Sequence, residues 1–386
     1  MSRASVSPAG VKAATYDAVV VGAGIVGAAC ADECVREGMR VAVVDGDVIG
    51  GGATAAGMGH IVVMDDSEAQ FALTRYSQQL WQQLRPALPA DVEYEQCGTI
   101  WVAADEQEMA EVHRKQDYYS QRGVPVEVLG QDALQSTEPN LRKALAGGLL
   151  VHEDGVLYPP CAARFLIERA QAGGATIGLG CSVSQIGNGL VRLDDGRELS
   201  AGAIINAAGN GAASLTPGLA IKKRKGHLVI TDRYPGFVRH QLVELGYLKS
   251  AHSTTGDSVA FNVQPRRTGQ VLIGSSRQYD VEDKPVDNPI LLRMLRRAGE
   301  YMPGLAQMST IRVWTGFRAA TPDQLPLIDP WPGDPTVFLA TRHEGLGITT
   351  SLASARILVD QIAGRRAAIP IEPYLPSRVS SEHAYV

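Results

Sequence analysis

Near the start of the sequence, apolar residues first occur in a short continuous run, then recur with the period of a helix, and then occur in a second continuous run. The two runs are Tyr16–Val21 and Met39–Asp45, and both predict buried parallel strands. Between them, a helical segment extends over Ile25–Glu37 and ends before Gly38. This order of strand, turn, helix and strand is typical of the start of a doubly wound α/β sheet.

The interior of the chain follows other patterns. Glu68–Leu84 has the apolar spacing of an amphipathic helix, and Asn288–Tyr301 is a second helical segment. Short apolar runs between turn residues fill the rest and predict antiparallel-looking strands in two interior blocks. Thr336–Ala340 is the last predicted strand and Thr350–Ala363 the last predicted helix. We therefore expect two domains, each assembled from segments that are not adjacent in the chain.

A glycine-rich turn follows the first predicted strand and begins the first predicted helix. Its residues are Gly22-Ala23-Gly24-Ile25-Val26-Gly27. In this context the glycines permit a tight turn, a close approach of the backbone to a pyrophosphate, and packing of the helix on the strand. Asp45 ends the second strand, about 20 residues further on, where its carboxylate accepts hydrogen bonds from ribose hydroxyls. The turn predicts a dinucleotide site but does not choose between NAD and FAD.

A run of small residues directly after Asp45 bears on that choice. The run extends from Asp47 to His60 and includes Gly50–Gly52 and Gly57–Gly59. A nicotinamide domain would continue into a helix and a strand here, whereas small residues let the backbone lie along an extended, flat cofactor. This segment favours FAD, and a flexible surface loop is the alternative interpretation.

Composition and charge narrow the functional class. With 45% hydrophobic and 20% charged residues among 386, the chain has the composition of a globular protein rather than a disordered one. The formal net charge of -5 argues against non-specific binding to nucleic acids, which requires a basic surface. Glycine is the one excess, at 41 residues, and it indicates many tight turns or close backbone approaches.

The apolar runs and the cysteines exclude other classes. No run reaches the roughly 18–20 apolar residues that cross a bilayer, so we expect no transmembrane segment and a cytoplasmic protein. The cysteines are too dispersed for a disulfide framework or an iron–sulfur cluster, and we expect no metal in this chain. They are Cys30, Cys34, Cys97, Cys161 and Cys181.

Together these motifs resemble the FAD-dependent D-amino-acid oxidase superfamily, and within it the branch of glycine oxidase and sarcosine oxidase. The resemblance begins with the glycine-rich turn and Gly52-Ala53-Thr54-x-x-Gly57. It continues in Ile204–Gly209, Thr315–Pro326 and Arg342–Thr350. These segments extend over nearly the whole chain, so the resemblance is specific for the superfamily but not for a substrate.

A finer resemblance rests on Gln264-Pro265-Arg266-x-x-Gly269 and Leu272–Gln278. These segments are similar to the catalytic β subunit of bacterial D-hydroxyproline dehydrogenases and to related opine and hydrogen-cyanide-forming amine dehydrogenases. The resemblance implies partner subunits that carry an iron–sulfur centre or a second flavin. It also implies a protein that is cytoplasmic, or peripheral to the inner membrane through an electron-acceptor complex.

Pattern and resemblance together imply a mixed α/β fold. A Rossmann-like FAD-binding domain is expected beside a substrate domain with a mostly antiparallel β-sheet, both built from discontiguous segments. The expected segments are 16–90, 145–220 and 320–376 for the FAD-binding domain, 91–144 and 221–319 for the substrate domain, and 1–15 and 377–386 for flexible tails.

The resemblance also assigns residues to the cofactor site. Most are glycines or lie beside glycines, where backbone amides approach the pyrophosphate or the flavin ring. The expected cofactor-binding residues are Gly22, Ala23, Gly24, Ile25, Val26, Gly27, Asp45, Gly46, Gly52, Ala53, Thr54, Gly57, Met58, Gly59, His60, Val183, Ala207, Ala208, Gly209, Arg318, Gly345, Leu346, Gly347, Ile348 and Thr349.

Arg318 is the catalytic residue that we expect to bind the substrate. Its planar guanidinium can hold a carboxylate through two parallel hydrogen bonds, which fixes the hydrogen that faces the flavin. A surface salt bridge is the alternative role. Further candidates for the substrate pocket are His60, Tyr247, Gln264, Arg266 and His343.

Two positions depart from the pattern of the family, and the role of a third position stays open. His227 follows Gly226 where many relatives have Gln, and Asp45 stands where FAD enzymes usually have Glu. Because Asp still reaches a ribose, FAD remains the expected cofactor. His60 has two possible roles, a covalent attachment of the flavin and an ordinary core or gating histidine.

The resemblance implies the FAD-dependent oxidation of a small amino acid or secondary amine similar to D-proline or D-hydroxyproline. In that family a hydride passes from the substrate Cα to flavin N5, and water hydrolyses the imine. The chain would act as the catalytic subunit of a multi-subunit dehydrogenase. One alternative is a stand-alone glycine, sarcosine or D-amino-acid oxidase that uses oxygen and releases hydrogen peroxide. Another is a structural or electron-carrying flavin subunit, which Arg318 argues against because a scaffold needs no carboxylate ligand.

Overall fold

The structure is a computed structural model that describes residues 14–219, 222–246, 256–279, 281–321 and 323–378. The predicted tails fall mostly outside these ranges. The strands are β1 Ala14–Val21, β2 Val41–Asp45, β3 His60–Ile61, β4 Thr99–Ala103, β5 Val126–Gly130, β6 Gly147–Val151, β7 Gly155–Val156, β8 Thr176–Leu179, β9 Val183–Gly187, β10 Leu190–Leu193, β11 Glu198–Asn206, β12 Lys222–Arg233, β13 Gln241–Glu244, β14 Ser258–Pro265, β15 Gln270–Arg277, β16 Thr310–Ala320, β17 Leu327–Trp331 and β18 Asp334–Thr341.

Helices connect these strands and cover the sheets. Side chains cap several of them, since Ser67 accepts from the Gln70 amide at 3.1 Å and Asp105 accepts from the Glu108 amide at 2.9 Å. The helices are α1 Ile25–Arg36, α2 Gly52–Ala56, α3 Glu68–Leu84, α4 Glu106–Gln121, α5 Gln131–Thr137, α6 Pro159–Ala172, α7 Ala212–Leu215, α8 Asn288–Tyr301 and α9 Gly347–Ile362.

The first sheet has parallel strands at its centre. Its order is β17-β18-β11-β1-β2-β8, and the β9–β10 hairpin attaches to β11. β1 pairs in parallel with both β2 and β11, so the carboxyl ends of these three strands meet at one edge. Helices α1, α3, α6 and α9 pack over one face, with Trp81 of α3 fully buried among them. Ligands of doubly wound sheets bind at this edge.

The second sheet is mostly antiparallel. Its order is β16-β12-β15-β14-β13-β4-β6-β5. Among the described strand pairs of this sheet, only β13–β4 is parallel. Helix α8 covers one face, where Tyr301 stacks on Phe261 with ring centroids 4.5 Å apart. The predicted fold class, a Rossmann-like α/β unit with an antiparallel sheet, is therefore confirmed.

Several predicted elements are confirmed and others need correction. The helices over Glu68–Leu84 and Asn288–Tyr301 have the predicted bounds. Within the small-residue run, Gly52–Ala56 forms a short helix that the sequence did not predict. The last helix begins at Gly347 rather than at Thr350, which brings three candidate flavin contacts into its first turn.

The domain boundaries stay a prediction. One strand departs from them, because β6 lies in the segment assigned to the FAD-binding domain but pairs with β4 and β5 of the second sheet. Within the described ranges, no helix combines the length and the apolar character needed to span a membrane.

The buried carboxyl group of Asp154, which lies between β6 and β7, links the segment after β3 to helix α3. Asp154 is fully buried, and its Oδ1 accepts from the Val63 amide at 3.1 Å and from Gln78 Nε2 at 2.8 Å. Burial raises the pKa of Asp154 to about 7, although these hydrogen bonds act in the opposite direction. The folded protein thus holds a proton that the unfolded chain releases near its ordinary pKa of 3.8.

We expect Asp154→Asn to remove a pH dependence of stability. Between about pH 4 and pH 7 the folded state binds one proton more, so the free energy of unfolding falls by up to about 1.4 kcal/mol per pH unit as the pH rises. The asparagine keeps a side-chain oxygen that accepts these hydrogen bonds but has no proton to lose. The free energy of unfolding of the variant should therefore not fall in this way as the pH rises. Urea unfolding of the parent and the variant at pH 5, 6, 7 and 8 measures the difference. Parallel curves over this range would contradict the prediction.

Candidate active site and cofactor cavity

A cavity of about 480 Å³ lies between the carboxyl edge of the first sheet and one face of the second. Small-molecule sites typically have volumes of about 300–1,000 Å³. The glycine-rich turn, the small-residue run, the end of β11 and the start of α9 form one side of the cavity. Side chains from β4 and from β12 to β16 form the other side. The cavity is thus bounded by both sheets.

The glycine-rich turn packs directly on the end of β11. Gly22 has a φ of 109°, and a Cβ atom there would lie 2.5 Å from the Ala207 carbonyl oxygen. A Cβ atom at Gly27 would overlap the carbonyl oxygen of Gly22. Since neither position accepts a side chain, the turn, the strand and α1 are held in close contact at the cavity edge.

Asp45 and Thr54 hold the start of α1. The Asp45 carboxylate accepts from the Ala23 amide at 2.6 Å and from the Asp47 amide at 2.8 Å. Thr54 Oγ1 accepts from the Ile25 amide at 3.0 Å, which joins α2 to α1. Asp45 also lines the cavity, and a carboxylate oxygen can accept more than one hydrogen bond. It can therefore bind a ribose hydroxyl while it fixes the turn.

The first turn of α9 meets the cavity at another point. Leu346 precedes this helix and provides no side-chain cap, whereas Gly347 and Ile348 line the cavity. Thr349 Oγ1 donates to the His60 carbonyl at 2.8 Å, and Trp81 Nε1 donates to the Ile348 carbonyl at 3.3 Å. These bonds fix the helix start, where the backbone amides and the helix dipole favour negative charge.

The residues present fit FAD. Two helix starts whose own N-cap residues, Gly24 and Leu346, make no side-chain cap border one elongated cavity. One is suited to a pyrophosphate and the other to the electron-rich edge of a reduced flavin. Asp45 supplies the acceptor for a ribose. Among the described residues, no cluster of three or more His, Cys, Asp or Glu side chains is placed to hold a metal ion.

Arg318 reaches the cavity by crossing the neighbouring strand. Its Nη1 donates to the Ser276 carbonyl of β15 at 3.1 Å, although Arg318 belongs to β16 and β12 lies between them. Gly226 of β12 makes this crossing possible, because a Cβ atom there would lie 2.7 Å from Nη1. A Cβ atom at Gly345 would lie 3.3 Å from Arg318 Nε. The guanidinium is therefore fixed between the second sheet and the loop before α9.

His227 supports the strand that Arg318 contacts. The Asp287 amide donates to His227 Nε2 at 2.9 Å, so the proton of the neutral ring is on Nδ1, which donates to Ser276 Oγ at 2.9 Å. Burial and the charge of Lys225 lower the pKa of His227, and Asp287 partly offsets this. The departure from Gln at this position thus has a structural role.

Two buried histidines line the cavity as neutral groups. Burial lowers the pKa of His60 to about 4; a hydrogen bond with Gln264 acts against this and the charge of Arg318 adds to it. Burial also lowers the pKa of His343 to about 3, and its Nε2 is 3.0 Å from Ser354 Oγ. Neither ring carries charge at neutral pH.

Most of the predicted cofactor residues line the cavity, but five do not. Those that line it are Gly22, Gly24, Ile25, Val26, Asp45, Gly52, Ala53, Thr54, Gly57, Met58, Gly59, His60, Ala207, Ala208, Gly209, Arg318, Gly345, Leu346, Gly347 and Ile348. The five that do not line it are Ala23, Gly27, Gly46, Val183 and Thr349. A role in cofactor binding stays a prediction for all of them.

Two of the predicted substrate residues contact other parts of the protein and do not line the cavity, so a substrate role stays a prediction for them. Gln264 donates to the Met58 carbonyl at 2.7 Å and is not part of the cavity wall. Arg266 donates to Glu93 at 2.7 Å and lies 4.4 Å from the ring centroid of Tyr158, also outside the wall. Both side chains point to structural partners that the sequence does not reveal. His60 and His343 do line the cavity, and Tyr247 lies outside the described residues.

The second sheet contributes wall residues that sequence reasoning did not assign to the site. Trp101, Gln241, Ser275 and Arg277 line the cavity, as does Asn262, which the sequence places in the substrate domain without a role. Gln241 begins β13, a strand that was not predicted, and β13 pairs with β4 and β14. Because these residues meet only through strand pairing, no local pattern links them. An alternation of polar and apolar residues in the predicted strands is the one signal that points to this face.

These features define a flavin-dependent oxidoreductase. The family model of FAD dependent oxidoreductases (DAO) matches residues 17–361, and the chain belongs to this family. FAD is its cofactor. The predicted superfamily and its glycine-oxidase-like branch are thereby confirmed.

Individual relatives share almost the full length of the chain. Glycine oxidase of Geobacillus kaustophilus is 25% identical, with 94% of this chain and 97% of the relative covered. Its crystal structure matches with a TM-score of 0.84 over 95% of this chain and 99% of its own. Hydrogen cyanide synthase subunit HcnC of Pseudomonas aeruginosa is 26% identical, with 96% and 98% covered. A subunit of the opine oxidase of Rhizobium meliloti is 24% identical, with 95% and 99% covered.

We expect Gly226→Ala to weaken substrate binding but not flavin binding. The new Cβ would displace the Arg318 guanidinium, because the two would lie 2.7 Å apart. Losing a charged hydrogen bond costs about 1.5–3 kcal/mol, so KM for a carboxylate substrate should rise at least about tenfold. Steady-state kinetics and the flavin-to-protein ratio measure both effects. Gly299→Ala in α8 is the matched control, since a Cβ there meets open space. An unchanged KM in Gly226→Ala would contradict the prediction.

Proposed function

We propose that this enzyme oxidises a small amino acid or secondary amine similar to D-proline or D-hydroxyproline. The position of Arg318 carries the proposal, because its guanidinium lies in the cavity wall beside the loop before α9. A carboxylate bound there holds the adjacent Cα close to the start of α9. The resemblance of Leu272–Gln278 to D-hydroxyproline dehydrogenases supports the choice of a cyclic secondary amine.

In the proposed reaction the protein mainly binds, orients and excludes water. Arg318 binds the substrate carboxylate through its paired N–H groups and fixes which Cα hydrogen faces the flavin. Bound FAD supplies the two-electron acceptor for the hydride that leaves Cα. The amine nitrogen supplies its own lone pair, so no carboxylate base is required. His60 and His343, both neutral, place no charge near the reacting carbon. Water then hydrolyses the imine; for a cyclic substrate this opens the ring and gives a single product that carries both a carbonyl and an amine.

We further propose that the chain works as the catalytic subunit of a multi-subunit dehydrogenase. Three of its relatives are named as subunits, two of hydrogen cyanide synthases and one of an opine oxidase. Partner subunits would then carry the iron–sulfur centre or second flavin that takes electrons onward. The alternative is a stand-alone oxidase that uses oxygen, which the glycine oxidases among its relatives favour.

Anaerobic bleaching of the flavin tests the reaction. We expect D-proline or cis-4-hydroxy-D-proline to bleach the oxidised flavin absorbance faster than glycine, sarcosine or an opine does. Slow recovery of the colour on re-aeration would support a dehydrogenase, and fast recovery with hydrogen peroxide would support the oxidase. If no compound of this panel bleaches the flavin, the proposed function is wrong. Co-purification of the protein from its native source tests for partner subunits.

We expect Arg318→Ala to raise KM for carboxylate substrates by orders of magnitude while FAD stays bound. Removing one member of a desolvated charge pair costs about 2–5 kcal/mol. Steady-state kinetics and the flavin-to-protein ratio measure the effect. An unchanged KM would place the carboxylate site elsewhere in the cavity.

A further inference from the structure

Three neutral polar side chains of the second sheet form a patch in the cavity wall. They are Trp101 of β4, Gln241 of β13 and Asn262 of β14, and all three line the cavity. Val243 of β13 lies directly opposite both Trp101 and Asn262, and Gln241 precedes Val243 by two residues. Since residues two apart in a strand share a face, the three side chains project from one face of adjacent strands. We call this group the polar patch.

The polar patch is buried, yet polar atoms in it lack partners. Trp101, Gln241 and Asn262 are 3%, 2% and 6% exposed. Among the residues that the structure describes, Trp101 Nε1, Gln241 Oε1 and Asn262 Oδ1 have no hydrogen-bond partner. Most buried polar atoms in proteins are paired, because an unpaired atom keeps the full cost of its lost hydration. Three such residues in one part of the wall indicate that a ligand supplies the missing hydrogen bonds.

The chemistry of the polar patch suits a neutral group that both donates and accepts hydrogen bonds. The indole N–H of Trp101 is a donor only, whereas each carboxamide has an oxygen that accepts and an NH₂ group that donates. Lys115 Nζ lies 4.5 Å from the centroid of the Trp101 ring, but its charge is paired with Asp65. An aliphatic hydroxyl is a small group that matches both the donors and the acceptors of the patch.

The polar patch lies beside the position that Arg318 reaches. Arg318 Nη1 donates to the Ser276 carbonyl of β15 at 3.1 Å, and β14 is the next strand of the sheet. Asn262 of β14 pairs with Gly274, two residues from Ser276. Neighbouring strands are about 4.8 Å apart, so Asn262 lies one strand and Gln241 two strands beyond β15. A small amino acid whose carboxylate is held by Arg318 therefore has its other end over β14 and β13.

We propose that Gln241 and Asn262 are specificity-determining residues that bind a hydroxyl at the end of the substrate away from its α-carboxylate. The substrate class is small amino acids, and cyclic secondary amines in particular, that carry such a hydroxyl. The hydroxyl donates to one carboxamide oxygen and accepts from the other carboxamide or from the indole N–H of Trp101. The inference rests on the proposed function, because it takes Arg318 as the ligand of the α-carboxylate.

Three compounds that differ at one ring position isolate the hydroxyl. They are cis-4-hydroxy-D-proline, D-proline and cis-4-fluoro-D-proline, in which fluorine replaces the hydroxyl but has no hydrogen to donate. kcat/KM for each is measured on the flavin-loaded enzyme with an artificial electron acceptor. The ratio of kcat/KM for the hydroxylated compound to that for each of the others reports the preference. Effects of a variant on the shared carboxylate and amine cancel in this ratio.

We expect the parent to prefer cis-4-hydroxy-D-proline over both other compounds. Gln241→Leu and Asn262→Leu should each reduce the ratio about 5- to 100-fold, because the substrate hydroxyl then loses a buried partner. Gln241→Glu and Asn262→Asp should reduce it less, since a carboxylate still accepts from the hydroxyl but does not donate. Gln307→Leu is the matched control: Gln307 is an exposed glutamine outside the cavity wall, and its replacement should leave the ratio unchanged.

Three results would overturn the inference and leave the proposed function intact. In the first, the parent oxidises D-proline at least as efficiently as the hydroxylated compound. In the second, the ratio is the same in the parent and in the leucine variants. In the third, a leucine variant loses the same factor for all three compounds, which would assign the residue to the fold or to a shared part of the substrate.

The flavin-to-protein ratio of every variant separates loss of the cofactor from loss of specificity. Where a leucine variant does not retain its flavin, the matching acidic variant decides, and an unchanged preference for the hydroxyl in it overturns the inference. If none of the three compounds reduces the parent's flavin, the proposed function and this inference are both overturned.

Discussion

The turn after β1 rests on the end of β11 with no space for a Cβ atom at Gly22, and the cofactor cavity depends on this contact. Parallel pairing of β1 with β2 and β11 brings three strand ends to the same edge. The glycine contact then sets the direction in which α1 leaves that edge. Asp45 and Thr54 fix the first amides of this region by accepting from them. The contact between Gly22 and the end of β11 thus places the start of α1 beside the Asp45 carboxylate, at the edge of the first sheet that borders the cavity.

The second sheet contributes the chemistry that this edge lacks. Its face presents Arg277 of β15 and Arg318 of β16, and Gly226 of the intervening strand allows Arg318 to cross. The histidines at the cavity are kept neutral by burial, so positive charge in this wall is concentrated on arginine. Arginine keeps its charge at any physiological pH. The positive charge that would bind an anionic substrate therefore changes little with pH near neutrality. The buried His227 influences this charge only through β15, the strand that it supports.

Much of the first sheet and its turns is predictable from the sequence, because the signals are local. A buried strand, a glycine turn and a helix leave their patterns in consecutive residues, and the helix over Glu68–Leu84 has its predicted bounds. The substrate wall is different. Arg266 and Arg277 are both arginines of the second sheet, yet one pairs with Glu93 and the other lines the cavity. Only strand pairing and the direction of each side chain distinguish them, and neither is encoded in a short motif.

Because the cavity lies between the two sheets, its occupant also holds them together. Its walls come from segments that are more than 250 residues apart, such as the turn at Gly22 and the start of α9. FAD bound there acts as a non-covalent cross-link, and its binding free energy adds to the stability of the folded chain. Each tenfold excess of free cofactor over its dissociation constant contributes about 1.4 kcal/mol. The supply of flavin in the cell therefore adds to the stability of the folded enzyme and also sets the fraction that is active.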